Sequence, residues 1–369
     1  MKIAVAKETR YNDKWVSLVP EIVERLIALE TEVVVETGAG EGAGFSDEAY
    51  RTKGATIAHN KTHLYQGANI VSWLKRPEKD NDELRHIPST AMVVGFFDPF
   101  KPDNPLRRFA QKGVTTISLE LLPHNKETKQ MDAFSVMGKF AGRIAYLNAL
   151  KTVTSRTQTS ALLVLIIGSG NAAMAAAKQA HQDGNRIIVV STNDSYQSLI
   201  EEQLSGVFVL LANDSRPIMA ERRQQERLRQ VILEHKPDII ISTARRYGQP
   251  APKLITEAEI DVMKPGTVIE DLTASLGGNT VFTKLNQEVK LKNNIIIRNK
   301  SNYPCQEPTQ ASESYSHCLW ALLEHVITRT RTEPNYNIAN DPILNKAVVT
   351  HQGQLCFIPV NLKNTEKDV

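Results

Sequence analysis

Short apolar runs alternate with stretches of helical periodicity along the first third of the chain. Apolar runs bounded by polar residues are typical of buried strands, whereas apolar positions three and four apart indicate amphipathic helices. Strands that alternate with helices in this way predict a mostly parallel sheet. The predicted strands are Lys2–Ala6, Glu32–Glu36, Ile70–Leu74, Ala91–Phe97 and Thr115–Leu119, and the predicted helices are Glu21–Leu29, Asp47–Lys53 and Asn104–Gln111.

A long helix is predicted for Met131–Val153, which has few helix-breaking residues and carries apolar residues at helical spacing. The alternation then begins again, and a second periodic helix, Gln310–Val326, leads back toward the first half. We therefore predict an α/β fold of two Rossmann-like lobes with mostly parallel sheets, linked by long helices. Residues 1–133 with 308–369 form the first lobe, and 134–307 form the second. The later strands are predicted at Leu162–Ile167, Arg186–Val190, Val207–Leu211, Asp238–Ser242, Thr267–Glu270, Asn294–Arg298, Ala347–Thr350 and Leu355–Val360, with helices at Ala172–Gln182 and Ser195–Gln203.

Charge and composition exclude several classes of function. The 369 residues carry 44 Lys and Arg against 41 Asp and Glu, a formal charge of +3. Domains that bind nucleic acid usually concentrate basic residues on one face, whereas the arginines around Glu221 and Glu226 alternate with acids, as on a solvated helix. We predict no nucleic-acid partner. Cys305, Cys318 and Cys356 form no C-x-x-C pair, so neither a disulfide framework nor a metal site is predicted.

The apolar runs are short compared with a membrane span. The longest, Ala161–Ile167, is far below the ~20 residues that cross a bilayer. Lys7 interrupts the apolar start of the chain, which predicts a strand there and no signal peptide. We expect a cytoplasmic protein, for which another chain would supply any membrane part.

A glycine-rich motif follows the first predicted strand of the second lobe. Gly168 and Gly170 with Ala173 complete the pattern G-x-G-x-x-A between a strand and an alanine-rich helix. In a dinucleotide-binding turn the first glycine permits a tight turn, the second lets the backbone approach a pyrophosphate, and the small third residue lets the helix lie close to the strand. The helix start, with Asn171 and Ala172, then offers amide groups to the phosphates. The motif predicts dinucleotide binding.

One part of this fingerprint is absent. An Asp or Glu is expected at the end of the next strand to accept the ribose hydroxyls, but Ser191 and Thr192 stand there and Asp194 comes later. These neutral groups can still bond a ribose, although the preference for NAD over NADP stays open. A Rossmann-like domain that has lost its cofactor is the alternative.

With these motifs the chain resembles the alanine dehydrogenase / pyridine nucleotide transhydrogenase family, and within it the transhydrogenase branch. The resemblance runs nearly from end to end of the chain. It is carried by the segments Lys7–Glu8, Val16–Pro20, Glu36–Gly40, Pro250–Thr256, Met263–Gly266, Val268–Asn279 and Thr309–Ser312.

The resemblance implies an NAD(H)-binding component that exchanges hydride between NAD(H) and NADP(H). In that family two lobes enclose a cleft for the nicotinamide, and the protein acts as a homodimer. Membrane subunits and a separate NADP(H)-binding domain complete the assembly. The expected location is therefore cytoplasmic and peripheral to the inner membrane, held there by partner subunits.

The resemblance also assigns a loop that contacts the nicotinamide. Asp132 and Ser135 match the Asp and Ser of that loop, while His124 and Lys129 stand where the transhydrogenases have Arg and Gln. A histidine is a weaker and pH-dependent donor compared with a guanidinium. Capping of the Met131–Val153 helix by Asp132 is an equally open interpretation.

Further cofactor-binding residues are assigned by the resemblance at the ends of later strands. Asp271 is expected in the crevice at the end of its strand, with capping of a following turn as the alternative. Lys75 matches a lysine that alanine dehydrogenases use on their substrate, and a surface lysine is the alternative. The remaining cofactor-binding assignments are Thr243, Ala244, Gly278 and Asn279.

Two substitutions argue against an alanine dehydrogenase. Trp15 replaces the arginine that holds the substrate carboxylate, and Asp98 replaces the catalytic histidine. A nucleotide-binding paralogue with a drifted catalytic loop is a second alternative. The roles of Arg245 and Arg246 stay open, as does the effect of a loop that is shorter than the family's between residues 214 and 230.

Overall fold

The computed structural model describes residues 1–10, 13–76, 82–100, 106–155, 161–213, 217–246 and 248–357. Contacts divide the chain into two compact units: Met1–Met137 with Glu307–Val369, and Gly138–Gln306. The helices of the described residues are α1 Pro20–Ala28, α2 Asp47–Thr52, α3 Lys61–Tyr65, α4 Leu106–Lys112, α5 Ala133–Thr154, α6 Asn171–Gln182, α7 Pro217–His235, α8 Glu257–Asp261 and α9 Pro308–Thr332. The strands are β1 Lys2–Val5, β2 Glu32–Glu36, β3 Thr56–Ala58, β4 Ile70–Lys75, β5 Met92–Phe96, β6 Thr115–Ser118, β7 Leu163–Ile167, β8 Arg186–Ser191, β9 Val207–Leu210, β10 Ile239–Ser242, β11 Val268–Asp271, β12 Glu288–Lys290, β13 Ile296–Arg298, β14 Val348–His351 and β15 Gln354–Leu355.

The first unit is built on an eight-stranded sheet in the order β15-β14-β6-β5-β4-β1-β2-β3. Strands β1 to β6 pair in parallel, whereas β14 and β15 add an antiparallel edge. Helices on both faces bury such a sheet, so its strands are apolar along their length. Local sequence sets the helix starts: in α1, Pro20 occupies the first turn, Glu21 follows it, and Ile22 and Leu26 face the core.

The second unit is built on a seven-stranded sheet in the order β12-β13-β11-β10-β7-β8-β9. All pairings are parallel except that of β12 with β13. Val164 and Ile166 of β7 pack into one apolar cluster with α6, and the alternate residues Leu163, Leu165 and Ile167 pack into another with α7 and α8. Strand order reverses at β7, so its carboxyl end, beside that of β10, lies at the position where open α/β sheets bind ligands.

The structure confirms the predicted two-lobe α/β fold with mostly parallel sheets. The predicted helix Ser195–Gln203 is wrong in form, because only a short π-helical turn forms at Leu199–Gln203. The strand β3, the helices α3 and α8 and the antiparallel strand β12 were not predicted; each is too short for periodicity to distinguish it from a loop. Parts of the predicted Asn104–Gln111 helix and Leu355–Val360 strand lie outside the described residues.

Within the second unit, α5 packs closely on the first turn of α6. A Cβ atom on Gly142 would overlap the carbonyl oxygen of Ala172 and lie 2.5 Å from its carbonyl carbon. A Cβ atom on Gly138, one turn earlier in α5, would meet only the Cβ of Asn171 at 3.6 Å, an ordinary van der Waals distance. Gly142 therefore sets the distance between the two helices.

We predict that Gly142→Ala destabilises the protein by about 2 kcal/mol or more, because the added methyl forces backbone apart from backbone. The matched variant Gly138→Ala is expected to be neutral or slightly stabilising, since alanine is favoured over glycine inside a helix. Urea unfolding of both variants followed by circular dichroism measures the difference. Equal stabilities for the two variants would contradict the packing of α5 on α6.

Candidate functional site

The turn that follows β7 requires glycine at its first position. Gly168 has φ +108°, which side chains rarely adopt, and its amide donates to the carbonyl of Val190 at 2.8 Å. A Cβ atom there would lie 2.6 Å from Oγ1 of Thr243. The turn is thus held against the end of β10 by a contact that only glycine allows.

The second glycine of the motif faces open space. Gly170 is the N-cap residue of α6, contributes no side chain to the first-turn amides, and would place a Cβ atom where nothing lies within 4 Å. Asn171 and Ala172 begin the helix, and Ala173 is fully buried against β7. An uncapped helix start beside open space is suited to an anion.

At the end of β8, two serines bond to each other. The hydroxyls of Ser169 and Ser191 lie 2.8 Å apart, both residues are buried, and Ser191 Oγ also accepts from the amide of Asn193 at 3.1 Å. Thr192 and Asp194 are exposed. Sequence reasoning missed Ser169, which lies at a variable position of the glycine motif. The strand end holds hydroxyls in place of the usual carboxylate.

The end of β10 forms the other wall of the glycine turn. The amide and the hydroxyl of Thr243 both donate to the carbonyl of Ile167, at 2.8 and 3.0 Å, and Ala244 follows. Arg245 is exposed, and a terminal nitrogen of Arg246 lies 3.7 Å from the carboxylate of Glu221. The loop predicted to be shortened begins at residues outside the described part of the chain.

Asp271, at the end of β11, is fully buried, and hydrogen bonds surround its carboxylate. Oδ1 accepts from the amide and hydroxyl of Thr273 at 2.9 and 2.7 Å. Oδ2 accepts from the amides of Asn279 and Thr280 at 2.7 and 3.3 Å and from the hydroxyl of Thr283 at 2.6 Å. The contact with Thr273 is the turn cap that the sequence left as an alternative.

Asn279 carries this organisation on to β10. Its Nδ2 donates to the carbonyls of Ala244 and Pro252, both at 2.9 Å, and its Oδ1 accepts from Ser242 at 2.7 Å. Gly278 precedes it with φ +82°, and a Cβ atom there would lie 2.8 Å from Oδ2 of Asp271. These residues meet around the end of β10, within the second unit.

In the first unit, two of the four residues predicted for the nicotinamide loop are in contact. Oδ2 of Asp132 lies 2.8 Å from Nδ1 of His124, and its Oδ1 accepts from the amide of Ser135 at 2.8 Å. Asp132 therefore caps α5 and contacts His124 at once. Lys129 and His124 are exposed. The loop is shaped by Thr128, which is buried and donates to the carbonyl of Pro123.

Sequence reasoning missed this organising role of Thr128. The amides of Glu127 and Thr128 donate to Oδ1 of Asn125 at 2.9 and 3.1 Å. An Asn whose side chain bonds the backbone two residues on is a local turn signal, and it was available in the segment Asn125–Thr128.

The carboxyl ends of β1 and β4 bring together the residues that bear on the alanine dehydrogenase alternative. Nζ of Lys75 lies 3.2 Å from the buried carboxylate of Asp13 and 5.8 Å from the ring centre of Trp15. Asp98 has φ +50° and lies 3.8 Å from Nε of Arg76. Lys75 is therefore an internally paired lysine, in contrast to a free surface lysine.

Glu8 lies beside this pair. Its Oε1 accepts from the amide of Leu74 at 2.8 Å and from that of Lys75 at 3.4 Å. Burial raises the pKa of Glu8 from 4.5 to about 7; the Leu74 bond opposes the shift, and the charge of Asp13 adds to it.

Comparison with known proteins places the chain in a family. Residues 4–141 match the N-terminal domain model of alanine dehydrogenase/PNT, and residues 138–357 match the C-terminal domain model. The chain belongs to the alanine dehydrogenase/PNT family, which confirms the resemblance drawn from the motifs.

Several relatives resemble the chain over almost its whole length. NAD(P) transhydrogenase subunit alpha of Cereibacter sphaeroides is 30% identical over 97% of this chain and 72% of the relative. An NAD(P) transhydrogenase subunit alpha chain of Rhodospirillum rubrum is 29% identical over 90% of this chain and 92% of the relative. The crystal structure of transhydrogenase from Sinorhizobium meliloti matches with a TM-score of 0.82 at 25% identity, over 96% of this chain and 100% of that one.

We predict that Glu8 makes folding stability fall as the pH rises from about 4.5 to about 7. In that interval the folded protein keeps a proton on Glu8 that the unfolded chain releases, so the free energy of unfolding decreases by up to ~1.4 kcal/mol per pH unit and the effect ends above the folded pKa. In Glu8→Gln this part of the slope is expected to disappear.

Urea unfolding between pH 4.5 and 8 measures the slope. Glu41→Gln, which changes an exposed carboxylate of the same unit, is the control and is expected to keep the wild-type slope. A Glu8→Gln profile parallel to that of the wild type would refute the shifted pKa.

Proposed function

We propose that this chain is the NAD(H)-binding component of a proton-translocating NAD(P) transhydrogenase. In that role it exchanges hydride between NAD(H) and NADP(H) together with partner subunits. The observation that carries the proposal is the turn after β7: a strained Gly168 packed on β10, then an open Gly170 at an uncapped helix start. Membership of the alanine dehydrogenase/PNT family supports the choice of nucleotide.

The residues present fit a dinucleotide. The space at Gly170, where a Cβ atom would meet nothing, leaves room for a pyrophosphate against the backbone. Asn171, Ala172 and Ala173 would offer the helix start, and the neutral pair of Ser169 and Ser191 would face the ribose. Because no carboxylate stands at the end of β8, the site discriminates less strongly against a 2′-phosphate.

The chemistry of hydride transfer belongs to the nicotinamide itself, so the protein contributes orientation. Asp132 is the residue suited to this task, since its carboxylate is fixed by two contacts, with His124 and with the amide of Ser135. We propose that His124 and Ser135 hold the ring orientation with it and that the exposed Lys129 completes the loop.

The assembly is also part of the proposal. We propose a homodimer at the cytoplasmic face of the inner membrane, bound to membrane subunits and to an NADP(H)-binding domain. The support comes from the relatives, which are named as alpha subunits of a transhydrogenase and therefore as components of a larger enzyme. Among the described residues, no helix is both long and apolar enough to span a bilayer.

Two other functions are less well supported. An amino-acid dehydrogenase needs a cation free to bind its substrate carboxylate, but Lys75 is paired with Asp13 and lies over Trp15. A binding paralogue that no longer transfers hydride is favoured by the substitutions at His124 and Lys129. Consumption of NADH with pyruvate and ammonia would identify the first of these, and tight NADH binding without transfer would identify the second.

We predict that Gly170→Val weakens NADH binding more than tenfold without lowering stability. The added side chain enters space that is open in the protein alone, at φ −75°, so only a bound pyrophosphate would meet it. NADH fluorescence titration measures the affinity, and thermal unfolding is the control for the fold. An unchanged dissociation constant would contradict the assignment of the turn.

We predict that Asp132→Asn slows hydride transfer about tenfold or more and changes the NADH dissociation constant by less than about threefold. Asparagine caps a helix as well as aspartate does, so the bond to the amide of Ser135 survives, whereas the charge facing His124 is lost. Transfer is measured by mixing the chain with an NADP(H)-binding transhydrogenase domain and a reducible NAD analogue. Equal losses of affinity and rate would reduce Asp132 to a structural cap.

A further inference from the structure

We propose that Asp271 and Asn279 are positioning residues for the dinucleotide site, acting through the Thr243–Ala244 turn and without touching the cofactor. The inference rests on the proposed NAD(H) binding and deepens it. It differs from the sequence-based expectation, which placed Asp271 beside the ligand.

The first step concerns the accessibility of Asp271. Its side chain is fully buried, and five donors from four residues, Thr273, Asn279, Thr280 and Thr283, occupy both of its oxygens. A carboxylate oxygen has about two lone-pair sites. With Oδ2 accepting three bonds and Oδ1 two, the group has no capacity left for a ribose or an amide of the cofactor.

The second step follows the network from Asp271 to β10. The Asp271 carboxylate fixes the backbone of Asn279 at 2.7 Å, and the Asn279 amide then holds the carbonyl of Ala244 at 2.9 Å. Asn279 is itself fully buried, and all its polar atoms are used, because Ser242 and Pro252 take the remaining bonds. Polar networks that are fully satisfied in the interior are rigid, and a partial loss is costly.

The third step reaches the glycine turn. Thr243 precedes Ala244, donates twice to the carbonyl of Ile167, and stands where a Cβ atom of Gly168 would lie. A displacement of the Thr243–Ala244 turn therefore moves the wall of the pyrophosphate turn. Misplacement of a binding group by about 1 Å is enough to cost a large factor in function. Asp271 and Asn279 thus determine affinity from behind the site.

The test compares two buried carboxylates. Asp271→Asn removes an acceptor from the network. Asp341→Asn is the matched control, because Asp341 is equally buried and accepts from His325, Tyr336 and two backbone amides, all in the first unit. Both variants are expected to lower the melting temperature. We expect only Asp271→Asn to raise the NADH dissociation constant, by tenfold or more, at a temperature where both variants are folded.

A milder pair keeps the inference testable if Asp271→Asn fails to fold. Thr283→Val removes the hydroxyl that donates to Asp271 and keeps the shape of the side chain, whereas Thr283→Ser keeps the hydroxyl. We expect Thr283→Val to raise the dissociation constant at least threefold and Thr283→Ser to bind as the wild type does. A general loss of stability would not separate the two variants in this way.

The inference is overturned if folded Asp271→Asn binds NADH as the wild type does, if Asp341→Asn loses as much affinity, or if both Thr283 variants bind alike. Absence of NADH binding in the wild-type chain would be a different failure, since it would remove the proposed function itself. The two failures are therefore distinguished by the wild-type titration alone.

Discussion

The close approach of the Gly168 turn to the end of β10 is the constraint on which the organisation of the second unit depends. Two adjacent parallel strands end side by side, and the loop from each must pass the other. Only a residue without a side chain at position 168 lets Thr243 donate to the carbonyl of Ile167. Once that contact is made, the position of α6 follows, because its N-cap, Gly170, lies two residues further on.

Close packing of this kind carries a cost in buried polar groups, and the structure meets it with bonds. The loops at the ends of β8, β10 and β11 bury hydroxyls, an amide and a carboxylate, each of which would destabilise the fold by about 1 to 3 kcal/mol if it were left without a partner. Ser169 with Ser191, and Asn279 with its three partners, satisfy one another in place of water. The ligand side of the turn is consequently left to backbone amides.

The sequence predicted those features that depend on neighbours along the chain. The glycine motif was predictable because a strand, a tight turn and a helix follow one another within a few residues, and the long helices were predictable from their periodicity. Gly142 was not, because its importance comes from the approach of α5 to Ala172, thirty positions away in the chain. The partners of Asn279 were hidden for the same reason: its bonds to Ala244 and Pro252 depend on which strands are neighbours.

Charge pairing in the first unit shows how one fold can favour different chemistry. The ends of β1 and β4 hold a lysine, as a site for an anionic substrate requires, but the protein supplies the anion itself through Asp13 and covers the lysine with the ring of Trp15. A buried ion pair of this kind resists separation, because removing either partner leaves an uncompensated charge. An incoming carboxylate would have to displace Asp13 and meet the nearby Glu8 as well. The same arrangement does not hinder a dinucleotide, whose recognition in the second unit requires backbone amides and no lysine.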